Sequence, residues 1–205
     1  MTVEPKFTQH DVKITDIQPQ YEGFLSIYKY RLRHRLFAGG WSEEIDRELM
    51  DRGDAVVVLP YDPVTDELVV LEQFRVGAMN NEQGPWLFEF VAGMFDGDES
   101  AQEVAERELM EEAGLTAKRL HEALTYYSSP GGTNERISIY IAEVDANQAA
   151  EFGGLAEEHE DIRVSTIGFA DAVQMLAQGK FNNAASVIGL QWIQLNKSRL
   201  FKTQE

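Results

Sequence analysis

Apolar and polar residues alternate through residues 24–37, FLSIYKYRLRHRLF. Phe24, Tyr28, Tyr30, Leu32 and Leu36 fall on one side, and Lys29, Arg31, Arg33 and Arg35 on the other. A period of two predicts a strand with one buried face. AGGW at 38–41 signals a turn, and the returning EEIDRELMD fits helix or strand equally well. Two β-branched runs flank a Pro/Asp/Thr turn at 62–66 in AVVVLPYDPVTDELVVLEQFR, which predicts a hairpin. PWLFEFVAG (85–93) reads as one strand, and LTYYSSPGGTNERISIYIAEV as two strands around a Pro-Gly-Gly loop. GLAEEHEDIRV is an acidic loop running into a strand.

Period 3.6 takes over elsewhere. Ser100 followed by Glu103 is a capping box that starts a helix near Ala101, and Gly114 is placed to end it in the left-handed conformation. FADAVQMLAQGK and NAASVIGLQWIQLNKSRLF predict two more helices, the second with a core stripe of Ala185, Ile188, Trp192 and Leu195. Hairpin signals outnumber crossover signals, so the chain predicts a mixed sheet with helices packed on it.

Composition narrows the function. At 205 residues and 43% hydrophobic, the chain can bury a sizeable core. A net charge of −17 and a pI near 4.6 argue against nucleic-acid polymers and anionic membrane as partners. A small anionic substrate stays open, because a divalent cation can invert the local charge. The absence of cysteine removes disulfides, thiolate metal sites and cysteine nucleophiles. The N-terminus has no apolar leader and no apolar run reaches spanning length, so the expected location is cytoplasmic.

One stretch departs from ordinary surface chemistry. GMFDGDESAQEVAERELMEEAGL (93–115) places Glu108, Glu111 and Glu112 within one helical arc of about 100°, bordering the buried sector of Ala105, Leu109 and Ala113. Converging carboxylates suit a hard cation such as Mg²⁺ or Mn²⁺. Arg107 lies four residues after Glu103 and four before Glu111, where it can orient or partly neutralise a ligand. A solvated, charge-rich helix is the plain alternative. A Ca²⁺ loop from Asp96 fails, since position six is Ala101 and position twelve is Arg107.

The whole stretch resembles the Nudix box, in Gly93, Glu99, Arg107, Glu108, Leu109, Glu111, Glu112, Gly114 and Leu115, without a departure. Such a match arises by chance on the order of once in 10⁷ chains of this length. The resemblance implies an α/β fold with a mixed sheet, a Nudix α/β/α sandwich over 53–205, preceded by an antiparallel β segment over 1–52. It implies divalent-metal-dependent hydrolysis of a nucleoside diphosphate linked to another moiety. Glu108 and Glu112 then resemble metal ligands, as does the backbone carbonyl of Ala92. Glu111 resembles a further ligand or supporting acid held by Arg107.

Pro130, fifteen residues after Leu115, and the spread of similarity from Phe24 to the C-terminal helix resemble the subgroup that cleaves ADP-ribose to AMP and ribose 5-phosphate. In that subgroup the general base lies in a loop downstream of the box. The matching LAEEHEDIRV makes Glu158 the expected base and Glu160 a further metal ligand, with Glu157 and His159 as neighbours. The subgroup also implies adenine stacking on Phe24 beside Leu25. Substrate contacts are expected from Arg47, Glu48, Arg52, Arg75, Met94, Ser129 and Glu135, in a homodimer with exchanged N-terminal segments. Two alternatives stand beside it: a hydrolase of GDP-mannose or another nucleoside-diphosphosugar, and a non-catalytic ADP-ribose sensor.

Overall fold

A computed structural model describes residues 2–201. They divide into two compact units. The first holds the residues up to Gly53 together with Tyr127–Glu135, and the second holds Asp54–Tyr126 and the residues from Arg136 onward.

The first unit is a three-stranded antiparallel sheet, β1 (Val12–Glu22), β2 (Ser26–His34) and β3 (Ile45–Asp51), in that order. β3 answers the ambiguity over EEIDRELMD in favour of a strand, paired from Ser26↔Asp51 to Leu32↔Ile45. β1 was not legible in the sequence. The ladder shifts register between Ile14 and Asp16 and again between Pro19 and Tyr21, so its apolar residues lose their two-residue period. Pro19 is tolerated because β1 is an edge strand. The expected one-sided burial of 24–37 is corrected: β2 is half-buried along both faces as far as Leu32. Phe24 falls outside the strand, in the β1–β2 turn, and is 87% exposed. Met50 ties the sheet to the second segment of the unit, its N–H donating to the Gly132 carbonyl at 2.8 Å.

The second unit is built on an eight-stranded mixed sheet. Its strands are β4 (Ala55–Asp62), β5 (Glu67–Phe74), β6 (Trp86–Glu89), β7 (Val91–Met94), β8 (Arg119–Tyr127), β9 (Arg136–Glu143), β10 (Phe152–Gly153) and β11 (Ile162–Gly168). The main path runs β10-β11-β5-β4-β9-β8, with β4 and β9 parallel. Asp62 shapes the hairpin turn, one carboxylate oxygen accepting from Val64 and the other from Ala146. β4 and β5 are registered only at Tyr61↔Leu68 and Asp62↔Glu67, then splay. The expected single strand at 85–93 fills that fork and breaks at Phe90: β6 pairs with β5 and β7 with β4. One run of apolar residues therefore serves two partners.

Strand alternation loads both sheet faces. Val56, Val58, Val69, Leu71 and Val91 pack against helix α1 (Ala101–Ala113) through Val104, Ala105, Leu109 and Ala113. Val57, Leu59, Leu68, Val70, Ile139 and Ile141 pack against α2 (Phe169–Ala177) and α3 (Ala184–Leu200). The layering is α/β/α. Of the expected α3 stripe, Ala185, Ile188 and Trp192 pack against this core, and only Leu195 is corrected, at 82% exposed; the residues most deeply buried are Ser186, Gly189, Leu190 and Ile193. Gly189 explains the rotation, since a Cβ there would meet Leu59 Cδ1 at 2.6 Å and the helix approaches β4 through that glycine.

Candidate active site

Helix α1 is fixed at both ends by local chemistry. Ser100 Oγ accepts from the Glu103 N–H at 3.3 Å, and Glu103 Oε2 accepts from the Ser100 N–H at 2.8 Å. Gly114 takes φ 66°, which lets the Leu115 N–H donate to the Leu109 carbonyl. Leu115 and Leu109 are both buried in the core on that side. A helix so clamped, with its small apolar stripe against β4 and β7, holds Glu108, Glu111 and Glu112 at defined heights over the sheet.

Glu112 is 2% exposed, and its Oε2 accepts from the Ala92 N–H of β7 at 2.8 Å. Burial pushes its carboxyl well above the ordinary range. The Ala92 N–H opposes that shift, while Glu108 and Glu160 add to it. Glu108 is raised as well, by burial first, with Arg107 opposing and Glu111 and Glu160 reinforcing. It packs on Gly93, where a Cβ would stand 1.8 Å from Glu108 Oε1. Gly153 of β10 lies against the helix backbone, a Cβ there meeting the Glu112 carbonyl oxygen at 1.9 Å. Glycine at both places lets sheet and helix close on the acids.

Arg107 organises the outer edge. Its Nη1 is 2.6 Å from Glu108 Oε1 and 3.3 Å from Glu111 Oε2, as the spacing allows. The expected neighbour Glu103 is taken up by the helix cap, and Glu99 grips the guanidinium instead: Nε donates to one carboxylate oxygen and Nη2 to the other, each at 3.0 Å. Nη2 also donates to the Met94 carbonyl at 3.1 Å. Glu99 foremost, and Glu108 after it, hold the guanidinium in its charged form; Arg107 in turn lowers the Glu99 carboxyl.

The downstream loop reaches the same acids unequally. Glu160 is half-buried, its Oε2 accepts from the Leu155 N–H at 3.3 Å, and its charge acts on both Glu108 and Glu112. Glu158 is exposed and ends a single 3₁₀ turn, Ala156–Glu158, followed by His159 in the left-handed region at φ 57°. Glu157 is exposed on the same turn. The Gly154 N–H donates to the Glu111 carbonyl at 3.1 Å and anchors the loop to α1.

Arg75 follows β5 and joins the site from the sheet side. Its charge favours ionised Glu112, and its guanidinium pairs with Glu89 of β6. Glu89 and the Glu99 clasp were missed in the sequence; a lone glutamate inside the apolar run WLFEFV was the available signal. In the first unit, Arg52 pairs with buried Glu135 at 3.3 Å, and the Ser128 N–H donates to the Glu135 carbonyl, closing the loop that carries Ser129. Arg47 and Glu48 lie on β3, and Leu25 with Phe24 in the β1–β2 turn.

Among the described residues, no three His, Cys, Asp or Glu side chains are drawn together closely enough to form a finished metal cage. Arg107 and the Ala92 amide occupy the carboxylate oxygens. The donor set nonetheless fits a divalent cation. Two carboxylates disfavoured as anions by burial, and a third adding to their repulsion, are hard oxygen ligands whose charge needs a counter-ion.

Comparisons with known proteins show the family and the fold. A NUDIX domain model matches residues 51–188. The chain is 50% identical over 194 residues to an ADP-ribose pyrophosphatase of Escherichia coli (strain K12), covering 95% of this chain and 93% of that protein. It is 44% identical to the ADP-ribose pyrophosphatase of Haemophilus influenzae, covering 95% and 91%. A GDP-mannose pyrophosphatase of Shigella flexneri serotype 5b is 34% identical, covering 73% and 78%. A solved structure of an ADP compounds hydrolase superposes with a TM-score of 0.71 at 21% identity, over 96% of this chain and all of that one, which shows a shared fold.

Proposed function

This chain belongs to the Nudix family, and from that premise we propose that it hydrolyses the pyrophosphate of ADP-ribose, releasing AMP and ribose 5-phosphate. The observation that carries the proposal is the acidic edge of α1, where buried Glu112 accepts from the Ala92 N–H, Glu108 pairs with Arg107, and the charge of Glu160 acts on both carboxylates. The two relatives named for ADP-ribose, similar over nearly the whole chain, support that choice of substrate.

In this reading Glu108, Glu112, Glu160 and the Ala92 carbonyl hold Mg²⁺, with Mn²⁺ as a substitute. When bound, the ion supplies positive charge against the pyrophosphate and acidifies the attacking water. Arg107, clasped by Glu99, keeps Glu108 and Glu111 in place. Glu158 takes a proton from the water as its oxygen bonds to phosphorus and the bridging P–O bond breaks. Arg75 and Met94 flank the phosphates, while Phe24 and Leu25 receive the adenine and Arg47, Glu48, Arg52, Ser129 and Glu135 bind the rest. The solvent-facing Phe24 ring supports a site completed in a homodimer. We place the activity in the cytoplasm. The chain has no cysteine, and no helix among the described residues is long and apolar enough to cross a membrane.

The relative named for GDP-mannose favours a second reading, cleavage of another nucleoside-diphosphosugar. Incubation with Mg²⁺ and a panel of such substrates tests both. Release of AMP from ADP-ribose at the highest kcat/KM is expected, and faster cleavage of GDP-mannose would transfer the assignment.

A further inference from the structure

Glu89 is a carboxylate to which the proposed reaction gives no task. It sits on β6 opposite Leu71 of β5, one residue before the break at Phe90. Leu71 belongs to the core beneath α1, so an apolar side chain would suit this position. The Glu89 side chain is only 13% exposed, and burial raises its carboxyl even though Arg75 opposes the shift. Buried ion pairs of this kind are seldom kept for stability, because apolar replacements of similar volume often fold as well or better.

The pairing is one-sided. Arg75 Nε and Nη2 both lie 2.8 Å from a single oxygen, Glu89 Oε2. That uses one edge of a planar guanidinium with five N–H donors and leaves Nη1 out of the pairing. The Arg75 side chain is 41% exposed, and its charge reaches Glu112. An unrestrained guanidinium would be drawn toward that carboxylate.

We infer that Glu89 is a positioning residue, which holds Arg75 by one edge so that the other stays available to the substrate pyrophosphate, and which keeps the guanidinium off the carboxylates that take the divalent cation. This rests on the proposed site. The β4–β5 fork makes the arrangement possible. β6 must stay on β5 long enough to set Glu89 near Arg75, before the chain crosses to β4 and delivers Ala92 to Glu112.

The test compares Glu89→Leu and Glu89→Gln with Arg75→Ala and with the Arg75→Ala/Glu89→Leu double variant. Loss of a charge-assisted contact predicts a KM for ADP-ribose about tenfold higher or more in the Leu variant and in Arg75→Ala. The half-saturating Mg²⁺ concentration should rise in Glu89→Leu, where Arg75 is freed, and not in Arg75→Ala. The double variant should match Arg75→Ala within about twofold, because Glu89 acts through Arg75. The melting temperature of Glu89→Leu should be no lower than that of the wild type. If Glu89→Leu fails to fold, the isosteric Glu89→Gln carries the same comparison. Binding of methylenediphosphonate with Mg²⁺, followed by calorimetry, repeats it without turnover. An unchanged KM and unchanged diphosphonate binding in the Glu89 variants, or defects that multiply in the double variant, overturn the inference. A wild type that binds diphosphonate in a Glu89-dependent way yet leaves ADP-ribose intact would overturn the substrate instead.

Discussion

Glu112 accepts a hydrogen bond from the Ala92 amide in a place where an isolated carboxylate is costly. Glutamine keeps the acceptor and the shape while removing the charge. Glu112→Gln should therefore fold as the wild type does, by circular dichroism and melting temperature, and lose both Mg²⁺ affinity and turnover. Normal turnover at saturating Mg²⁺ would remove Glu112 from the ligand set. The two loop acids separate by place: Glu160 within Coulombic reach of the box carboxylates, Glu158 exposed on its turn. Glu158→Gln should lower kcat by about 10²–10⁴ with KM and Mg²⁺ binding little changed. Glu160→Gln should weaken Mg²⁺ binding and recover in part at high Mg²⁺, and Glu157→Gln should do little. Kinetics of the three variants across Mg²⁺ concentrations decides among them. A harmless Glu158→Gln beside a crippled neighbour would move the base to that neighbour.

Helix α1 shows how far local rules reach at the scale of an element. Its start at Ala101, its stop at Gly114 and its core stripe all follow from residues within a few positions of each other. The capping box also predicts a pH dependence. Hydrogen bonds from Ser100, its N–H first and its hydroxyl next, hold the Glu103 carboxyl below its ordinary value. A carboxyl lowered by folding stabilises the protein above its unfolded pKa of about 4.3, and that contribution is lost as pH falls through the folded value. Glu103→Gln keeps an acceptor without titrating. The wild type should accordingly melt higher than the variant at pH 7, with the gap closing below about pH 4; a gap independent of pH would contradict the role given to the charge. β6 and β7 were not separable by such rules. Nothing in WLFEFVAG states that its first half pairs with one leg of a splayed hairpin and its second half with the other. Leu195 fell outside the core-facing side of α3 for a related reason, since the close approach of Gly189 to Leu59 sets the rotation of that helix.

At the scale of the molecule, the first unit carries seven of the nine proposed substrate contacts, and its sheet has no fully buried face. Removing residues 1–45 deletes β1 and β2 and leaves β3 without its partner strand. The truncated chain should be monomeric or aggregated by light scattering, against a dimeric full-length protein, and should lose affinity for ADP-ribose. A soluble truncation with unchanged KM would show that the segment takes no part in the site.

The sequence by itself determined the chemistry of α1 and the mixed-sheet class. Carboxylate spacing, caps and strand alternation are local properties, written within one turn or one hairpin. It also marked Glu160 and Arg75 as candidates by resemblance. The tertiary structure decided which acids share a field, because Glu160 and Glu112 are 48 positions apart (160 − 112) and meet only through β10, β11 and the loop between them. It decided too that Glu99 and not Glu103 clasps Arg107, since Glu103 is already spent on the helix cap. It placed Glu89 against Arg75, where two neighbouring strands fix the side-chain distance that a separation of 14 positions leaves open.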